Sequence, residues 1–154
     1  MEIKLPELPE LHGLLVSGSL RAILESKDLA QLGDFLVNFI YSTVKIGIKG
    51  NSGSIHVWDS SLRDAMEFAH LRDKLGKRTK PGRVADGAEA FIAFAYFQGV
   101  ISLQEMIDYL ANRLTTEDFR INKIEKQACA TAFGELLSHI SYLVKKKDLL
   151  DFSA

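Results

Sequence analysis

One segment, Val84 to Phe97, most constrains the fold of this chain of 154 residues. Its only charged residues are Asp86 and Glu89, and all the others are Val, Ala, Gly, Ile, Phe or Tyr. The segment has the length of a helix, and a helix that is apolar on all sides is buried. It therefore needs other helices around it. The sequence predicts an all-α, single-domain helical bundle.

Cap and stop signals divide the rest of the chain into further helices. No proline interrupts the interval between Pro9 and Pro81, so long helices are allowed there. We predict six helices, at about residues 11–25, 26–45, 60–75, 84–97, 103–114 and 122–147. The first is weakened by glycines, the third has Asp59 or Ser60 as its cap, and the fifth opens with a capping box at Ser102. Residues 46–48 and 55–58 are predicted to be brief extended pieces.

Composition excludes several classes of protein. Hydrophobic residues make up 47% and charged residues 25% of the chain, as in an ordinary soluble globule. The net charge of -1 gives no overall basic character. No stretch of about 18 uncharged apolar residues is present, so we expect no membrane span. The absence of a signal-like leader and the single cysteine predict a cytoplasmic protein.

The second predicted helix carries one isolated acid. From Leu29 to Val44, Asp34 is the only charged residue. At 100° per residue, Asp34 points away from a broad apolar face, and Asn38 and Tyr41 share its side. That face is formed by Leu29, Leu32, Leu36, Phe39 and Ile40.

Asp86 and Glu89 are three residues apart, so their carboxylates lie on one face of the fourth helix. Burying a carboxylate costs several kcal/mol, on the order of the effective penalty per ion, unless it is paired or binds a metal. Together with Asp34 they are candidate ligands for a hard cation such as Mg²⁺. Two other readings stay open: buried ion pairs with cations from elsewhere, and ordinary surface positions. Asp59, Asp64 and Glu67 are interpreted as helix surface and cap.

A basic segment precedes this helix. Residues 72–83 hold six basic side chains against one acid, in a chain that is acidic overall. Phosphates attract such patches. We therefore expect this segment to contact phosphate groups such as those of a nucleic acid, the alternative being a merely solvated loop. The predicted contacts are Lys77, Arg78, Lys80 and Arg83.

Two motifs resemble the ribonuclease III family. Leu29 to Leu36 reads Leu-Ala-Gln-Leu-Gly-Asp-Phe-Leu and is similar to the Leu-Gly-Asp signature of that family's catalytic helix. Val84 to Ile92 reads Val-Ala-Asp-Gly-Ala-Glu-Ala-Phe-Ile and resembles its second signature, Ala-Asp-x-x-Glu-Ala. The resemblance covers about residues 14–114 of a single domain spanning 1–154, and a helical extension follows at about 122–150.

The resemblance implies an α-helical endonuclease domain that forms a homodimer and cuts double-stranded RNA with Mg²⁺ or Mn²⁺. Asp34, Asp86 and Glu89 would be the catalytic metal ligands, and Asn38 would orient a water or a ligand carboxylate. The aromatic surface of the fourth helix is the predicted dimer contact. It comprises Phe91, Phe94, Tyr96 and Phe97.

One position departs from the family pattern. Full-length members have a Glu four residues before the signature Asp, and this chain has Ala30. The shorter mini-ribonuclease III branch, which lacks a double-stranded-RNA-binding domain, also has Ala there. The resemblance therefore implies a mini-like enzyme, since the tail also reads as helix. The alternative is an inactive protein of the same fold that binds RNA or acts as a scaffold.

Overall fold

The computed structural model describes residues 18–51, 53 and 56–153 of the chain. Within them the all-α prediction is confirmed: besides helices, the backbone forms only an isolated bridge between Ser19 and Asp151. Short 3₁₀ helices lie at Arg72–Lys74 and Thr116–Phe119. The α-helices are α1 (Leu20–Leu24), α2 (Lys27–Lys49), α3 (Asp59–Phe68), α4 (Pro81–Phe97), α5 (Leu103–Ala111) and α6 (Asn122–Lys146).

Helix α4 lies at the centre and contacts α1, α2, α3 and α6. Its Phe91 and Phe94 side chains are fully buried in the core of this one chain. The prediction that these aromatic rings form a dimer surface is therefore wrong. Tyr96 and Phe97 are half-buried and contact each other edge to face, with ring centroids 5.2 Å apart.

Helix α2 is longer than predicted. Ser26 caps it by accepting the Leu29 N–H at 3.2 Å, and the helix ends at Gly50, which adopts a left-handed φ of 91°. The predicted extended piece at 46–48 is therefore wrong, because the helix runs on to a glycine that can reverse the chain. The predicted apolar face is only partly right: Leu29 and Ile40 are buried, whereas two other members, Leu32 and Phe39, are exposed.

Helix α3 is shorter than predicted and α4 begins earlier. The chain leaves the α-helix after Phe68, and His70 adopts a left-handed φ of 58°, so the predicted end at Leu75 is wrong. Trp58, and not Asp59 or Ser60, precedes the first helical residue. Pro81 starts α4 because its fixed φ suits the first turn of a helix. Arg83 is consequently part of α4.

The fifth predicted helix begins at its predicted signal, whereas the last begins at Asn122 after Ile121, which makes no side-chain cap, so a cap-type start at Asn122 is wrong. The capping box is confirmed: the Ser102 hydroxyl accepts the Glu105 N–H at 3.0 Å, and the Glu105 carboxylate accepts the Ser102 N–H at 3.2 Å. Helix α5 ends three residues earlier than predicted, at Ala111. Helix α6 packs along α3, where a Cβ on Gly134 would meet the Phe68 ring.

Two predicted elements lie partly outside the described residues. Of the predicted first helix, residues 11–17 lie outside them, and Leu20–Leu24 is helical. Of the second predicted extended piece, Ile55 lies outside them, and residues 56–58 have no regular structure. None of the described helices is long and apolar enough to cross a bilayer.

Candidate active site

The site is built on a close approach between α2 and α4. A Cβ on Gly33 would overlap the backbone carbonyl of Glu89, so only glycine allows the two helices to lie this near. The next residue after Gly33 is Asp34. The contact therefore brings the acid of α2 beside the acids of α4.

A second glycine admits α3 to the same place. At Gly87 of α4, a Cβ would lie 3.1 Å from the Met66 methyl carbon and 3.5 Å from the Leu24 carbonyl oxygen. The α4 segment between Asp86 and Glu89 is thus contacted by α1, α2 and α3. Three helices meet around the two carboxylates.

Glu89 is the buried member of the three predicted acids. Its exposed fraction is 6%, whereas Asp34 is exposed and the Asp86 side chain is 39% exposed. The predicted burial of the carboxylates is therefore found for Glu89 alone. The other two face solvent, from which a substrate would come.

The surroundings of Glu89 favour its protonated form. Its pKa is raised from 4.5 to about 9, first by burial, then by a hydrogen bond to Asp34, and then by the negative charges of Asp34, Asp86 and Asp59. In this bond the protonated Glu89 carboxyl donates to Asp34. Each named cause raises the pKa, so burial and the neighbouring carboxylates oppose a negative charge on Glu89 in the metal-free protein.

Asn38 links Asp34 to the segment before α3. Its side-chain amide donates to Asp34 Oδ1 at 3.0 Å, and its Oδ1 accepts the Val57 N–H at 2.8 Å. These two bonds fix the orientation of the Asn38 amide. Tyr41, predicted to share the Asp34 side, instead donates to Glu125 in the core.

Asp86 has a cation partner at the surface. Arg83 Nη1 lies 3.3 Å from Asp86 Oδ2, and Nη2 of the same guanidinium donates to the Glu25 carbonyl at 3.3 Å. The helix predicted at 84–97 excludes Arg83 and contains no cation that could pair with Asp86 or Glu89. The earlier start of α4 puts Arg83 one turn before Asp86 and corrects that view.

The ion-pair alternative does not account for Glu89. The buried ion pair among the described residues joins Lys45 Nζ to Glu125 Oε2 at 2.8 Å, away from the three acids. The Asp86–Arg83 pair is partly exposed. No cation is among the causes that shift the Glu89 pKa. The charged groups that act on the buried Glu89 carboxyl are therefore other acids.

The donor chemistry fits a hard divalent cation. In the described part of the chain no three His, Cys, Asp or Glu side chains already surround a common ion position. Mg²⁺ keeps several waters and needs only one or two protein carboxylates, so a closed cage is not required. Carboxylate oxygens are its preferred ligands, and a cation there would favour the charged form of Glu89.

Asp59 is a residue that sequence analysis assigned to surface and cap. Its charge contributes to the raised pKa of Glu89, so it belongs to the same electrostatic cluster. Asp59 is the first residue of α3, directly after the segment tied to Asn38. Its proximity depends on this long-range contact, which no local pattern reveals.

The basic segment divides into two groups. Arg72 donates to the carbonyls of Gly76 and Lys77, and Lys74 donates to the carbonyl of Phe152. These cations, like Arg83, are engaged within the chain. The side chains that remain exposed are Lys77, Arg78 and Lys80.

Comparison with known proteins agrees with the two signatures. The sequence profile described as Ribonuclease III matches residues 27–146, which is more than half of the chain and includes every acid of the site. No curated protein matches the chain. The chain belongs to the ribonuclease III family.

Proposed function

We propose that this chain is a divalent-metal-dependent endoribonuclease that hydrolyses phosphodiester bonds of double-stranded or structured RNA. The observation that supports this most is Glu89, a buried carboxyl near Asp34 and Asp86 whose raised pKa has no cation among its causes within the described residues. Buried acids without a partner are costly and are characteristic of functional sites.

Asp34, Asp86 and Glu89 would hold Mg²⁺ or Mn²⁺. When bound, such an ion would lower the pKa of a water molecule and would stabilise charge on the phosphate. Asn38 keeps the Asp34 carboxylate in place through its 3.0 Å hydrogen bond. As a ligand Glu89 would have to be deprotonated, because carboxylates coordinate metals in their charged form.

The reaction is a hydrolysis. The oxygen of one water molecule forms a bond to phosphorus, and the bond between phosphorus and the 3′ oxygen breaks. One proton of the water ends on the 3′ oxygen and the other is released. The products are a 3′-hydroxyl and a 5′-phosphate.

Asp59 supplies a fourth carboxylate to this site. The position of the family Glu is Ala30, whose exposed fraction is 6% and which cannot coordinate an ion. The negative charge of Asp59, the first residue of α3, acts on Glu89. We expect Asp59→Asn to lower the cleavage rate, whereas Asp64→Asn, an exposed acid of the same helix, leaves it unchanged. Equal rates for both variants would remove Asp59 from the site.

Lys77, Arg78 and Lys80 provide the contacts to RNA phosphates. They lie immediately before Pro81, at the start of the helix that carries Asp86 and Glu89. Arg83, which was assigned to RNA binding from the sequence, is engaged with Asp86. We propose that its main task is to hold that carboxylate.

A second copy of the chain covers an exposed apolar stripe on α2. Leu32, Phe35, Phe39 and Ile46 lie on one side of the helix, and Phe35 is 68% exposed. Contiguous apolar surface of this kind is characteristic of protein interfaces. Phe35→Glu should convert a dimer into a monomer by light scattering. A monomeric wild-type protein at micromolar concentration would refute the dimer.

Cleavage of double-stranded RNA in Mg²⁺ and in EDTA tests the proposed function. Wild type and Asp108→Asn should cut only with the metal; Asp108 is an exposed acid of α5 and serves as the control. Asp86→Asn should not cut. Equal cleavage by Asp86→Asn would refute the site. RNA binding without cleavage by wild type would support the inactive alternative.

A further inference from the structure

Lys126 of α6 lies against Trp58, the residue that precedes α3. Its ammonium nitrogen is 5.5 Å from the centre of the Trp58 ring, a distance at which a cation is attracted to an aromatic face. The Ser61 hydroxyl donates to the Lys126 carbonyl at 2.9 Å, so the lysine backbone is also fixed to α3. Lys126 is exposed and is in none of the ion pairs among the described residues. An oriented cation without a carboxylate partner is therefore accessible from solvent.

Trp58 is tied to the acids of the site on both sides along the chain. The residue before it donates its N–H to Asn38, whose amide is bonded to Asp34. The residue after it, Asp59, acts on Glu89 through its charge. The cation that lies over the Trp58 ring is therefore at the α3 side of the site.

Exposed cations border the acids of the site at more than one helix. Those of segment 77–80 precede α4. This segment adjoins α1, since a Cβ on Gly76 would lie 3.4 Å from a guanidinium nitrogen of Arg21. Lys126 instead borders the acids at α3. Because the acids repel RNA phosphates, cations at both places would offset that repulsion along a bound duplex.

We propose that Lys126 binds a backbone phosphate of the RNA at the α3 side of the site and that Trp58 positions its ammonium group. This inference rests on the proposed function and adds a substrate-binding residue to it. An ammonium group binds phosphate as a point charge, and the ring restricts the positions open to a flexible lysine chain. Because the Trp58 ring is half-buried and already carries the lysine, it acts through Lys126 and not by stacking on a base.

Variants of the two residues test this arrangement. Lys126→Gln removes the charge and Lys126→Arg keeps it; Trp58→Leu removes the aromatic face and Trp58→Phe keeps one. The control is Lys146→Gln, an exposed lysine at the end of α6, about 30 Å away at a rise of about 1.5 Å per residue. Binding of a short RNA duplex is followed by fluorescence anisotropy in EDTA over a range of salt concentrations. Cleavage kinetics in Mg²⁺ and melting temperatures complete the set.

Lys126→Gln should flatten the slope of log K against log salt by about 0.9, the contribution of one duplex phosphate contact. At about 0.15 M salt this corresponds to about fivefold weaker binding. Lys126→Arg and Trp58→Phe should keep the wild-type slope, and Lys146→Gln should bind like wild type. Trp58→Leu should weaken binding less than Lys126→Gln does. Combining the two should weaken it no further than Lys126→Gln alone, because Trp58 acts through the lysine.

Two results would overturn the inference. One is wild-type affinity and slope for Lys126→Gln; slower cleavage or a lower melting temperature beside them would show that the pair only supports the fold of the site. The other is a double variant that binds more weakly than Lys126→Gln, which would show that Trp58 contacts RNA itself. If wild type cuts RNA while either result holds, only the inference fails. If wild type neither binds nor cuts RNA, the proposed function fails and the inference with it.

Discussion

Glu89 and Glu125 are buried to nearly the same degree, at 6% and 4% exposure, but their surroundings are opposite. Glu125 accepts bonds from Lys45 Nζ at 2.8 Å and from the Tyr41 hydroxyl at 2.5 Å. Glu89 lies among other carboxylates. Burial alone therefore does not identify a functional acid. The groups that surround a buried acid distinguish a functional acid from a structural one.

The Glu125 cluster joins α2 to α6 and is complete within the chain. The Lys45 ammonium also lies 5.7 Å from the centre of the Phe119 ring. Burial and the nearby Glu125 raise the pKa of Tyr41 well above its usual range, so its hydroxyl stays a donor. This arrangement serves the fold. Among the described residues no cation is paired with Glu89 in this way, and Arg83 pairs with the neighbouring Asp86 instead.

Removing the cation of the complete cluster should have the largest effect. Lys45→Met leaves Glu125 buried and unpaired, which should lower the free energy of unfolding by about 3–5 kcal/mol. Urea denaturation in EDTA measures this. Adding Glu125→Gln to the same variant should recover part of the loss. A loss below about 1 kcal/mol for the single variant would contradict the assigned role.

The same experiment on Glu89 should give the opposite result. Glu89→Gln replaces a carboxyl that must keep its proton at neutral pH with a neutral amide, so the metal-free protein should be equally stable or more stable. Mg²⁺ at 100 times its Kd should stabilise wild type by about 2.7 kcal/mol, and this gain should largely vanish in the variant. A loss in EDTA comparable to that of Lys45→Met would show that Glu89 has a structural partner.

The dependence of protein stability on pH should reveal the raised pKa of Glu89. Native Glu89 keeps its proton up to about pH 9, whereas the unfolded chain loses it near 4.5. The native state therefore binds more protons in this window, and stability falls as pH rises. In EDTA, wild type should lose up to about 1.4 kcal/mol between pH 7 and 8 relative to Glu89→Gln. A constant difference between their stabilities would contradict the raised pKa.

The basic segment offers a smaller test of the same distinction. Lys77, Arg78 and Lys80 are exposed, whereas Lys74 is bonded to a backbone carbonyl. Replacing each exposed cation with Ala should flatten the salt dependence of RNA binding by about 0.9 per lost phosphate contact on a duplex. Lys74→Ala should leave the slope unchanged. Equal slopes for all four variants and wild type would make the segment a solvated loop.

The features that were predicted correctly depend on residues close together in the sequence. The helix of Val84 to Phe97, the Ser102 capping box and the all-α class follow from composition and spacing, and each is confirmed. The spacing of Asp86 and Glu89 also placed them on one helix face. Such features need no knowledge of what another helix contributes.

The errors concern contacts between distant parts of the chain. Phe91 and Phe94 were assigned to an interface because no pattern told how much of α4 its own neighbours cover. The charge of Asp59 near Glu89 and the Tyr41–Glu125 bond likewise depend on helix packing. Helix ends at 45–49 and 68–75 were missed because backbone conformation at Gly50 and His70 decides them.

The contact at Gly33 has a consequence for how mutations reach the site. Because α2 touches α4 backbone to backbone there, the interval between their acids is set by main-chain atoms and not by interchangeable side chains. Elsewhere in the core, neighbouring side chains can change rotamer when a substitution alters the volume. At Gly33 the contact is between backbone atoms, so no rotamer change can relieve it. The backbone contact at Gly33 sets the spacing of α2 and α4. Substitutions elsewhere in the core should therefore leave the distance between the acids of the two helices unchanged.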